Sequence, residues 1–420
     1  MLVSYRRLFG HPFGRLFAIA AFAGIAALAG CAQPAPPPPP APAVEAPPPP
    51  PPEEPLAPHQ LLHDQASFLR LPNLPQGVTP VRVGIILPLT SRNAATRALA
   101  QSMLKAAQLA LFDGGNANLL LMVDDEGNGG AAAAAAAGRL LTQGAEVIVG
   151  PLFGASVAAV APLARDRGVP VLAFSTERKV AGRGVYLVSF LPENEVGRVV
   201  DYAASRGHRD FTALVPRNAY GALVADAMHE AVDAAGGRVV EVDQFTPTAA
   251  GAMGPAAKAA QSGADAVLVA QGGSVLRAIA PTMMAGGGNH VQLLGTGLWD
   301  DNSLSREAAL EGGWYAAPAP NADADFVARY RAIFGTAPAN IASLAYDAMA
   351  LVALLSPGEP YHRFTRAALM DPNGFTGVNG TFRFRGDGTS ERGLAVLEVR
   401  RDGAQVIDPA PRTFQQHRGS

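Results

Sequence analysis

From residue 81 onward the chain alternates short, continuously apolar runs with longer stretches of helical periodicity. "VRVGIILPL" opens the series, and helical spacing follows over 97–112, stopped at Asp113-Gly114-Gly115. "NLLLMVDDEG", a helix over 130–143, "AEVIVGP", a helix over 155–167, "PVLAF" and "GVYLVSF" continue it. A run that is apolar at every position is buried on both faces, as in a parallel sheet covered by helices. Strand–helix alternation with short connections then demands right-handed crossovers. The expected class is α/β.

The pattern starts again after residue 193. Helices are expected over 194–206, 220–235, 254–262 and 274–285, and strands at "FTALVP", "RVVEVDQF", "ADAVLVA", "VQLLGTG" and "GWYAAP". Late helices are expected over 324–334, 341–355 and 361–370, before a hairpin in "GTFRFRGDGTSERGLAVLEVRRDG" with a turn at Gly386-Asp387-Gly388. About 325 residues exceed what one core holds, so two lobes are expected. The heptalanine 131–137 is helix-favouring composition.

The N-terminal part follows other rules. Arg6, Arg7 and Arg15 precede the apolar run "LFAIAAFAGIAALAG", which reads as a secretory signal over 1–30. The run falls short of the roughly twenty residues a membrane span takes. Leu28-Ala29-Gly30-Cys31 resembles a bacterial lipobox, which implies lipid attachment at Cys31, the single cysteine. Two or more acyl chains anchor stably where one does not. Ala32 in place of an aspartate implies, by the same resemblance, the outer membrane. Residues 31–78 are expected to be a tether, Pro- and Ala-rich over 32–58 and extended as polyproline II. At about 3.1 Å per residue, roughly 27 residues reach on the order of 80 Å. Residues 407–420 are expected to be a tail.

Several chemistries are missing. "GPLFGASVA" lacks the closing glycine of a nucleophile elbow. "DEGNGGAAAA" has no following Gly-Lys-Ser/Thr. The eight histidines are scattered, and with one cysteine no metal or cofactor is expected. Asp124-Asp125 and Asp300-Asp301 are neighbours on extended segments, so their carboxylates point apart. A net charge of −2 offers no reason for nucleic acid as partner. The expectation is a non-catalytic protein.

Taken in order, "GIILPLT", "DDEGN", "GAEVIVGPLFGAS", "GVPVLAFS" and "NAYG" resemble the type I periplasmic binding proteins, the leucine-binding-like family. The resemblance covers 79–406 and implies two Rossmann-like lobes joined by three crossings, near 190–192, 318–322 and 355–359. The first lobe would hold 79–190 and 322–357, and the second 193–318 and 360–406, with the last hairpin. A ligand would close between them at the carboxyl ends of the strands.

The first lobe would contribute Thr90 and Ser91 after the opening strand, Gly154, Ala155 and Ser156 at a helix start, and Ser175 and Thr176 after the fourth strand. Free N–H groups of "GPLFGAS" would hold an anion at the helix start. Ser156, Ser175 and Thr176 serve equally well as caps and turns. The second lobe would contribute Tyr220 from "YG", Trp299 as a stacking platform and Asp300. Amino-acid binders of this family carry a hydroxyl where Gly154 stands and an acid where Gly297-Leu298 stand, so both grips depart from the pattern. A closer resemblance, in "GPLFGASVAAVAPLARDRGVPVLAFS" and "GTGLWDD", is to the penicillin-binding-protein activator lipoproteins. It implies control of peptidoglycan synthesis through contact with a penicillin-binding protein. The alternative is a substrate-binding lipoprotein that delivers amino acids or similar solutes to an ABC permease.

Overall fold

The computed structural model describes residues 68–71, 78–287, 291–301 and 303–414. The expected signal segment, Cys31 and the proline-rich run over 32–58 lie outside the described residues.

Two sheets carry the molecule. In the first, five parallel strands lie in the order β3 (Leu119–Asp125), β2 (Val81–Leu87), β4 (Val147–Val149), β5 (Val171–Ala173), β6 (Val185–Leu187). Helices α1 (Ala94–Asp113), α2 (Gly130–Thr142) and α3 (Gly154–Asp166) connect them. The second sheet repeats the order with β8 (Arg238–Phe245), β7 (Asp210–Pro216), β9 (Ala266–Val269), β10 (Gln292–Gly295) and β11 (Trp314–Ala317). Its helices are α4 (Pro192–Ser205), α5 (Ala219–Ala234), α6 (Ala249–Ala260) and α7 (Gly273–Gly287). The strand order reverses beside β2 in one lobe and beside β7 in the other. Loops that part at such a point leave a crevice at the carboxyl ends of the strands.

The apolar runs behave as their composition requires. Val83, Ile85, Ile86 and Leu87 of β2 are inaccessible to solvent, with Ile85 and Ile86 facing opposite layers. Caps set the helix starts. The Asn93 side chain accepts the N–H groups of Ala95 and Thr96, and Asn218 accepts that of Gly221. Thr248 accepts Gly251 N–H, so α6 begins at Ala249, five residues before the start expected at 254.

Three further expectations are corrected. Residues within the expected tether form β1 (Phe68–Arg70), which pairs antiparallel with β3 and buries Leu69 in the first core. The helix expected over 361–370 shrinks to α10 (Arg366–Leu369). Arg363 is drawn to Glu146 at 2.8 Å, both side chains only 7% exposed.

The third correction concerns the hairpin, which divides between the lobes. The chain returns to the first lobe in α8 (Ala324–Phe334) and α9 (Ala342–Leu355), then forms β12 (Phe375–Gly377), β13 (Gly380–Phe384) and β14 (Ser390–Arg392). Phe375, Phe382 and Phe384 enter the first-lobe core, where Phe384 meets Tyr186 at 5.2 Å. Only β15 (Ala395–Arg400) and β16 (Gly403–Asp408) extend the second sheet, β15 antiparallel to β11. The third crossing therefore runs through Gly393 and Leu394, not 355–359. Burial of the alternating phenylalanines decides it.

Candidate functional site

The first-lobe rim is built on a tight approach. Gly150 has φ +85°, and a Cβ there would strike the Ile86 carbonyl, so glycine alone lets β4 close against β2. The loop beyond it, 150–154, is held from beneath by Glu126. That side chain is fully buried and accepts Leu152 N–H at 2.9 Å and Phe153 N–H at 3.2 Å. Burial pushes its carboxyl up, and the Ser156 hydroxyl and the two N–H groups pull it part of the way back. The N–H groups expected to be free for a ligand are thus in part taken by the protein. Ser156 is buried with its hydroxyl turned toward Glu126.

Above the loop lies a cavity of about 350 Å³ on the carboxyl side of the sheet. Phe153, Phe174 and Phe190 line it, with Leu152 and with Leu99 and Leu344 from α1 and α9. Ser175, Thr176 and Ser189 add hydroxyls, and Gly154 and Glu177 complete one wall. Ser175 is 4% exposed, and its Oγ accepts Glu177 N–H at 3.0 Å. Gly154 and Glu177 touch: a Cβ built on Gly154 would come within 2.5 Å of Glu177 Oε2.

The other expected residues of this lobe lie elsewhere. Thr90 gives its hydroxyl and its N–H to Asp125. Ser91 Oγ accepts Asn93 N–H at 3.3 Å and steadies the start of α1. The backbone of Ala155 packs on Gly130 of α2. None of the three lines the cavity.

On the second-lobe rim the Tyr220 and Thr296 hydroxyls lie 2.8 Å apart. Burial raises the Tyr220 phenol well above its ordinary range. Glu195, from the first turn of α4, accepts Gly297 N–H at 2.9 Å. A carboxylate therefore stands at Gly297 although no acid occupies that position in the chain. Burial first, then Glu193 and Asp300, push the Glu195 carboxyl up to about 7. Asp300 accepts the Tyr315 hydroxyl at 3.4 Å.

Trp299 is a correction. It is 1% exposed in the second-lobe core, between Gly295 and Gly313, and its indole N–H donates to the Gln271 carbonyl at 3.0 Å. A ring so enclosed has no face for a ligand; Leu298, 47% exposed, stands on the rim in its place.

Arg178 links the lobes. It lies 3.6 Å from Glu193 and 3.8 Å from Glu230 on the second lobe, and 3.5 Å from Asp387 on the first. Beneath the crossings, Arg392 and Asp347 form a buried pair at 3.3 Å. Arg392 also donates to the Ser189 carbonyl and covers Phe190 at 4.5 Å, so the first and third crossings share one anchor.

A family model described as periplasmic binding protein matches residues 80–404. The chain belongs to the periplasmic binding protein family. The fold is of its type I class, with two lobes and three crossings. No curated protein matches the chain.

Among solved structures, a candidate branched-chain amino acid ABC transporter protein from Rhodospirillum rubrum is similar over 78% of this chain and 100% of its own, with TM-score 0.69 and 20% identity. A branched-chain amino acid ABC transporter periplasmic ligand-binding protein from Burkholderia xenovorans gives TM-score 0.61 at 17% identity over 80% and 97%. An ABC transporter substrate-binding protein from Desulfitobacterium hafniense in complex with Leu gives 0.57 at 20% over 78% and 100%. At such identities the likeness concerns the fold.

Sequence reasoning missed Glu126, Glu177 and Glu195. Glu126 stands inside "DDEGN", and Glu177 directly follows Thr176. Their positions carried a signal; their roles depend on contacts across loops. Among the described residues, no group of three or more His, Cys, Asp or Glu is placed to hold a metal ion. No described helix is long and apolar enough to cross a membrane.

Proposed function

We propose that this chain is a non-catalytic periplasmic solute receptor that delivers a small molecule to an ABC permease and is held to the membrane through a lipid on Cys31. The observation that carries the reading is the cavity on the first-lobe carboxyl rim, with its apolar walls and few polar groups. Its volume lies within the usual range for small-molecule sites. Tyr220, Thr296, Glu195 and Leu298 would close on the ligand from the second lobe, and Arg178 would hold the closed form. The ABC-transport assignments of the similar structures support this reading.

The test uses the mature chain with Cys31→Ser, screened for thermal stabilisation by amino acids, amines and small acids. A ligand at a hundred times its Kd adds about 2.7 kcal/mol. A saturable shift is expected. Full retention of the Cys31→Ser chain in the membrane fraction would refute the lipid anchor.

The proline-rich run favours a second reading, in which the protein reaches a penicillin-binding protein across the periplasm and regulates peptidoglycan synthesis. Absence of any solute shift, together with direct binding to a purified transglycosylase-transpeptidase, would favour it over the receptor.

A further inference from the structure

The first-lobe cavity holds a single carboxylate, and it sits in an unusual place. Glu177 rests against Gly154, at the N-terminal end of the thirteen-residue helix α3. No side chain caps that helix. The positive end of a helix dipole attracts anions. Here the protein's own anion stands in front of it.

Glu177 makes no hydrogen bond or ion pair through its carboxylate among the described residues. Its neighbour Arg178 is engaged elsewhere, with Glu193, Glu230 and Asp387. The remaining wall is apolar and aromatic, with Phe153, Phe174 and Phe190 in one cavity. A ligand carboxylate entering there would meet a like charge; a cation would meet an opposite charge and ring faces.

We propose that the cavity takes a small organic cation, an ammonium group on an apolar body without a carboxylate, and that Glu177 is the residue that selects it. The inference rests on the receptor reading and narrows its solute class. Selection is by difference: Glu177 attracts the ammonium group that both carry and repels the carboxylate that only the amino acid carries.

Two matched pairs test it, because each differs only by a carboxylate: phenethylamine with phenylalanine, and isoamylamine with leucine. Calorimetry and thermal shift are run on the mature Cys31→Ser chain and on its E177Q and E177A variants. Glu177 is exposed, so neither variant threatens folding. The wild type is expected to bind an amine at least tenfold more tightly than its amino acid. E177Q should weaken the amine about tenfold or more, and E177A should raise amino-acid affinity by a similar factor.

Equal or tighter binding of the amino acid by the wild type overturns the proposal, as does amine affinity unchanged by E177Q. If E177A binds amino acids while the wild type binds no amine, the receptor reading stands and the cation class falls. If no probe binds any of the three proteins, the cation class falls, and the receptor reading is decided by the wider solute screen.

Discussion

The carboxylate of Glu195 accepts the backbone N–H of Gly297 at 2.9 Å. The two residues are 102 apart in the chain, and their meeting puts an acid on the second-lobe rim at a position that itself has no side chain.

That acid makes stability depend on pH. Burial raises Glu195 from 4.5 to about 7, with Glu193 and Asp300 adding to the shift. Between these values the folded chain keeps a proton that the unfolded chain has released. The group's contribution is therefore complete below about pH 4.5 and is lost as the pH rises through 7. We expect a loss on the order of 3 kcal/mol across that window. Urea unfolding at stepped pH should show it, and E195Q should flatten the slope. An E195Q profile parallel to the wild type would assign the pH dependence to other groups.

A side chain at Gly154 must move Glu177. Gly154→Ser should push the carboxylate aside and open the end of α3 to an anion. Because Glu177 is flexible and exposed, the stability change should stay within about 1 kcal/mol. Phenylalanine affinity should rise about tenfold, equal to about 1.4 kcal/mol. Calorimetry on the variant decides; an unchanged preference between amine and amino acid would count against Glu177 as selector.

The Asp347–Arg392 pair predicts a large asymmetry. Burial raises the Asp347 carboxyl and lowers the Arg392 guanidinium, while each is held by the other's charge. Arg392→Met leaves a buried carboxylate without its partner, at a cost of about 3–5 kcal/mol. Asp347→Asn combined with Arg392→Met should cost clearly less than the sum of the single changes. A double-mutant cycle in urea measures the coupling, and strict additivity would mean that the pair does not act as a unit.

Trp299 separates a core role from a binding role. Trp299→Ala should cost about 3–5 kcal/mol, as for other buried large side chains. Affinity per folded molecule should not change. Thermal unfolding and calorimetry on the same sample check both; lost affinity with an unaltered Tm would return the ring to the ligand site.

How much of this was legible in the chain differs from feature to feature. "VRVGIILPL" and "AEVIVGP" declare buried parallel strands, since only a doubly covered strand is apolar at every position. The repeated alternation calls for two lobes, and "GPLFGAS" locates a helix start on the rim. Gly154, Ser175 and Thr176 do line the cavity. Thr90 and Ser91 looked equally suited, yet Asp125 and Asn93 take them up in turn chemistry. Nothing local distinguishes a hydroxyl that faces a cleft from one that ties a turn.

The sequence by itself determined the class of fold, because hydrophobic periodicity and glycine stops are local signals summed over many residues. Only the tertiary structure decided which acids reach the cleft. Glu177 arrives at Gly154 and Glu195 at Gly297 because separate loops converge at the carboxyl ends of the strands. The third crossing was decided the same way, by Phe375, Phe382 and Phe384 finding the first-lobe core. Convergence of this kind depends on distances between segments far apart in the chain, and no local pattern encodes them.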